Sequence, residues 1–334
     1  MSGGAVVLVT GGAGFIGSAL VRRLVDSGQR VRVLDDGSRG RPARLAGVDV
    51  EVVEGDVRRP ADVERAVRGV DRIWHLAAVN GTEFFYTRPD LVLDVGIKGI
   101  LNVIDAATAE GVGELFVASS SEVYQTPPRV PTSEAVPLSI PDPLNPRYSY
   151  AGSKIATELL ALNHGRSKFR RVVVFRPHNV YGPDMGWEHV IPQLALRIRA
   201  LARDTKGAVR LPIQGDGSET RAFVHVDDLV RGLECVAERG EHLGIYNIGT
   251  DTETRIDELA RQIGGCFARD VQIVAGEPAR GATRRRCPDI AKIRALGYEP
   301  RVSLSDGLRD TVRWYDEHAD EAPRAADAAL PRHR

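Results

Sequence analysis

Residues 8–24 read LVTGGAGFIGSALVRRL. An aliphatic run ends in a threonine, four glycines fall within seven positions, and an amphipathic segment takes over before the last of them. Glycines at that density mark a place where something passes so close to the main chain that side chains are excluded. Gly11, Gly14 and Gly17 form G-x-x-G-x-x-G between a strand and a helix. That arrangement makes a tight turn, leaves the backbone open and lets the helix pack hard on its strand. With Phe15 and Ile16 opening the helix, its free N–H groups face the turn and suit a pyrophosphate.

Outward from this stretch, short β-branched runs alternate with helical patterns as far as about residue 120, the signature of βαβ units in a parallel sheet. The strands read AVVLVT (5–10), RVRVLD (30–35), VEVVEG (50–55), DRIWHLA (71–77) and ELFVASS (114–120), with a sixth at RRVVVFR (170–176). Helices are predicted over 18–27, 61–68, 91–110 and 149–164. After Tyr181 the alternation stops: HVIPQLALRIRALA (189–202) reads as a helix, followed by short strands and turns around LPIQGDGSETRAFVHV. The expected fold is α/β, a Rossmann-type doubly wound parallel sheet with a smaller C-terminal substrate-binding lobe. Residues 1–178, rejoined near 225–250, form the sheet domain; 179–224 and 251–318 form the lobe; 319–334, rich in Ala, Arg and Pro, read as a disordered tail.

A glycine pattern alone is weak, so a second sign is needed: an acid roughly 20 residues on, at the end of the next strand. Asp35 stands there. Its carboxylate accepts hydrogen bonds from ribose hydroxyls and repels a 2′-phosphate, which favours NAD over NADP, although Arg39 and Arg41 nearby pull the other way. GDV (55–57) and HLAA (75–78) end the third and fourth strands, where the ligand crevice of an open parallel sheet opens. Val57, Leu76, Ala77 and Ala78 are therefore assigned to the cofactor wall. Asp56 either meets the adenine amino group or simply forms the turn.

Tyr150 and Lys154 stand four apart in YSYAGSKIATELL, on one face of a helix. A phenol with an ordinary pKa of about 10 becomes a usable base when an ammonium and a nicotinium ring favour its phenolate. The pair can then take a proton from an alcohol as hydride leaves for the cofactor.

With GGAGFIG, GDV, HLAA, SSSEVY, YAGSK, NVYGP and GDGSETRAFVHVDDL in this order, the chain resembles the extended short-chain dehydrogenase/reductase family, in particular its NAD-dependent nucleotide-sugar epimerases and dehydratases, from about residue 5 to 318. The resemblance implies that Tyr150 is the catalytic base, that Lys154 holds the nicotinamide ribose and lowers the tyrosine pKa, and that Ser120 assists at the substrate C4 oxygen. It places Asn179 near the sugar or diphosphate. Arg221 and one of Arg284, Arg285 and Arg286 match the family's diphosphate clamps, the triple arginine reading equally as a solvated charge run. It also implies a homodimer through the helices at 91–110 and 149–164.

Glu122 stands two before Tyr124, where family members that work at C5 or C6 often carry a glutamate; it serves either as a second acid/base or as a structural acceptor. Ser121 precedes it, where deoxythymidine-sugar dehydratases usually have aspartate. Ser119 and Ser121 read as strand-end hydrogen bonding, and His189 and His225 as structural. Gln125 in place of glycine, VNGTEFFY at 79–86 and Gly96 in place of asparagine depart from the family pattern.

Forty-five basic residues balance forty-five acidic ones in 334, so no overall field draws the chain to nucleic acid or a membrane surface. Cys235, Cys266 and Cys287 lack CxxC spacing and the eight histidines show no metal-site pairing, so neither disulfides nor a metal are expected. No leader pattern or apolar run of about 18 residues appears, giving the expectation of a cytoplasmic protein. The leading expectation is an NAD-dependent C4 epimerase of a nucleotide sugar working through a 4-keto intermediate. The close alternative is a 4,6-dehydratase, or a uronic-acid decarboxylase, that employs Glu122. A non-catalytic dinucleotide-binding protein is the remote one, since Tyr150 and Lys154 are both present.

Overall fold

The computed structural model describes residues 5–203, 206–277 and 284–322. Its centre is a seven-stranded sheet of β1 (Val6–Thr10), β2 (Arg30–Asp35), β3 (Glu51–Glu54), β4 (Arg72–His75), β5 (Glu114–Ala118), β6 (Arg171–Pro177) and β7 (Gly244–Ile248). The order across it is β7-β6-β5-β4-β1-β2-β3, with every neighbouring pair parallel. Central strands buried on both faces read as continuous apolar runs, and all five residues of β5 are buried. At the edge, β3 (EVVE) holds no fully buried residue. The order reverses at β1 and β4, so the crevice opens above the carboxyl ends of those strands.

Helix α1 (Phe15–Asp26) follows β1, α2 (Pro60–Val67) follows β3, α3 (Thr82–Thr87) and α4 (Pro89–Glu110) both follow β4, and α5 (Ser149–Lys168) follows β5. Pro60 and Pro89 occupy first helical turns, where the missing N–H costs nothing, so α2 and α4 start slightly before the periodic patterns at 61 and 91. The first helix begins inside the glycine run at Phe15, where the motif has it and three residues before the periodic stretch at 18–27. One apolar cluster, with Leu8, Ile100, Val103 and Val174, fills one face of the sheet. The other face carries a second, in which Trp74 stacks on Phe116 with ring centroids 4.3 Å apart.

Outside the sheet, α6 (Val190–Arg203), α8 (Ile256–Cys266) and α9 (Leu304–Glu317) share a third apolar cluster with the strand Val209–Ile213. This strand pairs parallel with Val271–Ala275, which directly follows α8, so a crossover exists where the sequence shows no alternation. The partners lie far apart in the chain, separated by α7 (Val226–Arg239) and β7, and no local period can reveal them. Order also continues past 318: Ala319–Glu321 form a short 3-10 turn and Glu321 pairs with Arg41 at 3.1 Å, correcting a tail that starts at 319. Residues 323–334 of that expected tail lie outside the described residues. Among the described residues, no helix is long and apolar enough to cross a membrane.

Candidate active site

The glycine turn is shaped by contacts that a side chain would break. Gly11 has φ +72° and a Cβ there would lie 2.9 Å from the Ala77 backbone; one on Gly17 would lie 2.1 Å from the Gly11 carbonyl oxygen. The turn, the first residues of α1 and the ends of β3 and β4 line one crevice, so Gly11, Gly14, Phe15, Ile16 and Gly17 face Val57, Leu76, Ala77 and Ala78 across it. This cradle fits a dinucleotide pyrophosphate: backbone without side chains, at a helix start.

Asp35, at the end of β2, accepts the Ala13 N–H on one oxygen and the Gly37 N–H on the other, each at 2.9 Å. Burial raises its pKa, and those two amides partly offset the rise. Two acceptor positions out of about four are used, leaving room for ribose hydroxyls. Asp56 also lines the crevice, but its carboxylate is held by the Arg58 guanidinium at 2.6–3.1 Å. Arg39 and Arg41, the two residues that argued for a 2′-phosphate, are each engaged by acids. Arg39 pairs with Glu188 at 2.5 Å and Arg41 with Asp184 at 2.9 Å.

Tyr150, Lys154, Ser120 and Glu122 meet further along the crevice wall. Tyr150 is 7% exposed, and its ring stacks on Phe85 with centroids 5.1 Å apart and planes at 15°. Burial raises its pKa, a hydrogen bond with Ser120 pulls the other way, and the Glu122 charge adds to the rise. Lys154 Nζ, 5.8 Å from the Tyr150 ring centre, donates to the Ala118 carbonyl at 2.7 Å. Burial brings its own pKa down to about 8, against the pull of Glu158. The expectation that Lys154 makes the phenol acidic is thus corrected for the free protein. Its ammonium donates to β5, and desolvation dominates at the phenol with the Ser120 hydrogen bond opposing it; a positively charged ring bound alongside would add to that opposition.

Behind this wall lies a buried polar network that sequence reading missed. Glu158, four residues beyond Lys154 on α5, takes the Arg176 guanidinium at 2.6 and 2.8 Å and accepts from the Ser119 hydroxyl. Arg176 continues to Tyr124, whose hydroxyl donates to Asn247 on β7 at 2.8 Å. The repeat Tyr150, Lys154, Glu158 at four-residue spacing was the available signal.

Glu122 sits in a 3-10 turn (Ser121–Tyr124) whose start is capped by Ser120, its hydroxyl oxygen accepting the Glu122 N–H at 3.2 Å. Gln125 ends the turn at φ +50°, a conformation glycine adopts without cost, and its side-chain amide donates to the Glu122 carbonyl at 2.6 Å. The Glu122 carboxylate pairs with Arg286 at 2.5 Å. Burial works against its ionisation, but the charge and hydrogen bond of Arg286, with Arg147 and Arg221 beyond, hold it below the ordinary carboxylate range.

The strand Arg285–Arg286 runs parallel to Thr220–Arg221 with Arg286 opposite Arg221. Arg286 faces the crevice, whereas Arg285 pairs with Glu253 on the other side. Asn179 also faces the crevice, with φ +39° and its amide on the Ala222 carbonyl at 3.3 Å. Arg221 does not line it; its guanidinium returns to the Thr220 carbonyl at 2.7 Å. Burial and the like charge of Arg286 bring Arg221 down to about 10. The Gly96 departure has a packing reason: a Cβ there would lie 2.8 Å from Ser153 Cβ, so α4 approaches α5 closely just where Lys154 is placed.

The pattern of the NAD dependent epimerase/dehydratase family matches residues 7–249. The chain belongs to that family. It is 35% identical over 325 residues to a dTDP-glucose 4,6-dehydratase of Streptomyces griseus, covering 93% of this chain and 94% of the relative. Against UDP-glucuronic acid decarboxylase 2 of Arabidopsis thaliana the identity is 33% over 307 residues, 90% of this chain and 66% of the relative. The crystal structure of a Thermus thermophilus UDP-glucose 4-epimerase in complex with NAD superposes with a TM-score of 0.80 at 30% identity, covering 93% of this chain and 99% of that one. The protein is an NAD-dependent enzyme of nucleotide-sugar chemistry. Its relatives include dehydratases, decarboxylases and epimerases, so the C4-epimerase expectation is not singled out.

Proposed function

We propose that the enzyme oxidises C4 of a nucleotide-diphosphate sugar and then works at C5, as a dehydratase or decarboxylase does, with Glu122 as the second acid/base. The observation that carries this reading is a carboxylate on the crevice wall, paired with Arg286 at 2.5 Å and sharing that wall with Tyr150. Simple inversion at C4 gives such a group nothing to do.

NAD, when bound in this cradle, would supply the acceptor for the C4 hydride and the donor for its return. Gly11, Gly14 and Gly17 leave space for its pyrophosphate, with Phe15 and Ile16 at the helix start; Asp35 takes the ribose hydroxyls, and Val57, Leu76, Ala77 and Ala78 form the apolar wall, with Asp56 at the adenine end. Tyr150 takes the C4 hydroxyl proton, Ser120 donates a hydrogen bond at the same oxygen, and Lys154 holds the nicotinamide ribose. In the dehydratase reading the C4 ketone acidifies the C5 proton, which the Glu122 carboxylate removes as the C6 hydroxyl leaves as water, and hydride then returns to C6 with a proton to C5. In the decarboxylase reading the same ketone lets the carboxylate on C5 leave as carbon dioxide, a proton takes its place at C5, and hydride returns to C4. Arg286, with Arg221 behind it and Asn179 beside it, neutralises the diphosphate. As implied by the family resemblance, the enzyme pairs as a homodimer through α4 and α5, which leave Leu93 and Leu159 exposed. The three described cysteines are free, which fits a reducing, cytoplasmic setting.

A second reading keeps C4 epimerisation, favoured by Ser121: a hydroxyl stands where an acid for a departing C6 hydroxyl is needed. One experiment separates them. Purified enzyme is incubated with nucleotide hexoses and hexuronates in deuterated water and the products are followed by NMR. A 6-deoxy-4-keto sugar or a pentose, with deuterium at C5, is expected, and Glu122→Gln should cut its formation about a hundredfold or more. C4 inversion without solvent label overturns the C5 role.

A further inference from the structure

Three arginines follow Asp35, and the region beyond the sheet holds all three. Glu188 takes Arg39, while Asp184 takes Arg41 at 2.9 Å and Arg44 at 2.8 Å. Asp35, Arg39, Arg44 and Glu188 all line the cofactor crevice. The loop after β2 folds back so tightly that a Cβ on Gly40 would lie 2.5 Å from an Asp35 carboxylate oxygen, so Arg39 leaves the main chain beside that carboxylate. A guanidinium beside the ribose-binding acid is the group that accepts the 2′-phosphate of NADP, through two parallel N–H bonds. Here one arm of that fork, the Arg39 Nη2, is already engaged by the Glu188 carboxylate and the Asn80 carbonyl, which fixes the direction of the guanidinium.

Its seat is built. Arg39 also donates to the Asn80 carbonyl at 2.9 Å and lies over the Phe84 ring at 4.7 Å. Glycines make room for the partner: a Cβ on Gly81 would lie 3.1 Å from one Glu188 carboxylate oxygen, and one on Gly186 would lie 2.8 Å from the other. The segment bearing Glu188 is anchored from behind, with Tyr315 donating to the Met185 carbonyl and Trp187 packed edge-on against Tyr315, ring centroids 4.9 Å apart. The acid is thus presented by a fixed strap, and a phosphate dianion entering beside it would meet Asp35, Asp36 and Glu188 together.

We propose that Glu188 is a specificity-determining residue for the cofactor, excluding NADP by holding the Arg39 guanidinium away from the ribose 2′ position. The preference for NAD is then set jointly by Asp35 on the sheet and by an acid that only the second packed body supplies.

The test measures dissociation constants of NAD+ and NADP+ by calorimetry on the purified protein, Glu188→Gln, and the double variant Arg39→Ala/Glu188→Gln. Glu188→Gln should bind NADP+ at least tenfold more tightly than the parent, and the double variant should lose most of that gain. An unchanged NADP+ constant in Glu188→Gln that still binds NAD+ overturns the proposal. So does a gain that persists without Arg39, which would assign the effect to charge removal alone. If Glu188→Gln fails to fold, Glu188→Asp takes its place: its shorter reach should release Arg39 partly and raise NADP+ affinity measurably, and no rise overturns the proposal.

Discussion

At Tyr150 two opposed effects meet, and their order has a measurable consequence. Burial favours the neutral phenol, whose folded pKa lies above the ordinary value of about 10, and no ammonium is directed at its oxygen to compensate. In the cofactor-free protein, the phenolate absorption that Tyr150→Phe removes should be missing up to that ordinary pKa and should appear at lower pH once NAD+ is bound. A phenolate already present at neutral pH without NAD+ would contradict this order. Tyr150→Phe should lower turnover by about a hundredfold to ten-thousandfold. Much at this scale was legible in sequence: sixteen of the seventeen assigned residues line one crevice, because the motifs ride on strand ends and on one helix face. Arg221 was not, since the direction of a long side chain depends on its neighbours. Phe85, in the VNGTEFFY departure, stacks on the Tyr150 ring, a contact between distant segments that no local pattern announces.

The element that carries most of the cofactor argument is the turn between β1 and α1. Gly17 is constrained more tightly than Gly14, whose Cβ would meet only the Gly11 carbonyl oxygen at 3.1 Å. Gly17→Ala should push α1 off its turn, costing about 1–3 kcal/mol of stability and about tenfold or more in NAD+ affinity. Urea unfolding and NAD+ titration measure the two losses, and Gly14→Ala should suffer less in both. Strand and helix existence in this half followed from period and punctuation, boundaries moving by a few residues where proline or the glycine run supplied a better start. The parallel pair outside the sheet escaped because VRLPI carries an arginine and a proline and its partner arrives after two intervening helices and a sheet strand.

For the whole molecule, pH stability rests on groups buried beside the sheet ends. His75 bonds Thr10 at 2.8 Å and His178 bonds Asn247 at 3.1 Å; burial lowers each to about 3. The unfolded chain takes up both protons near pH 6.5 and the folded chain does not until about 3, so the unfolded state binds more protons throughout that window. Stability should therefore be complete above the unfolded value and fall as the pH drops through the window, by up to about 1.4 kcal/mol per pH unit for each histidine. Denaturant midpoints at a series of acidic pH values check this; a flat profile above the carboxylate range would show that the rings charge freely.

Period, glycine spacing and the four-residue step from Tyr150 to Lys154 are local, so the chain order alone decided the βα alternation, the cofactor turn and the reactive pair. Which arginine faces Glu122, what occupies Arg39, and how acidic the phenol is were decided only by folding. Each depends on the distance and solvent exposure of groups more than a hundred residues apart, or on a charge buried by elements that carry no motif.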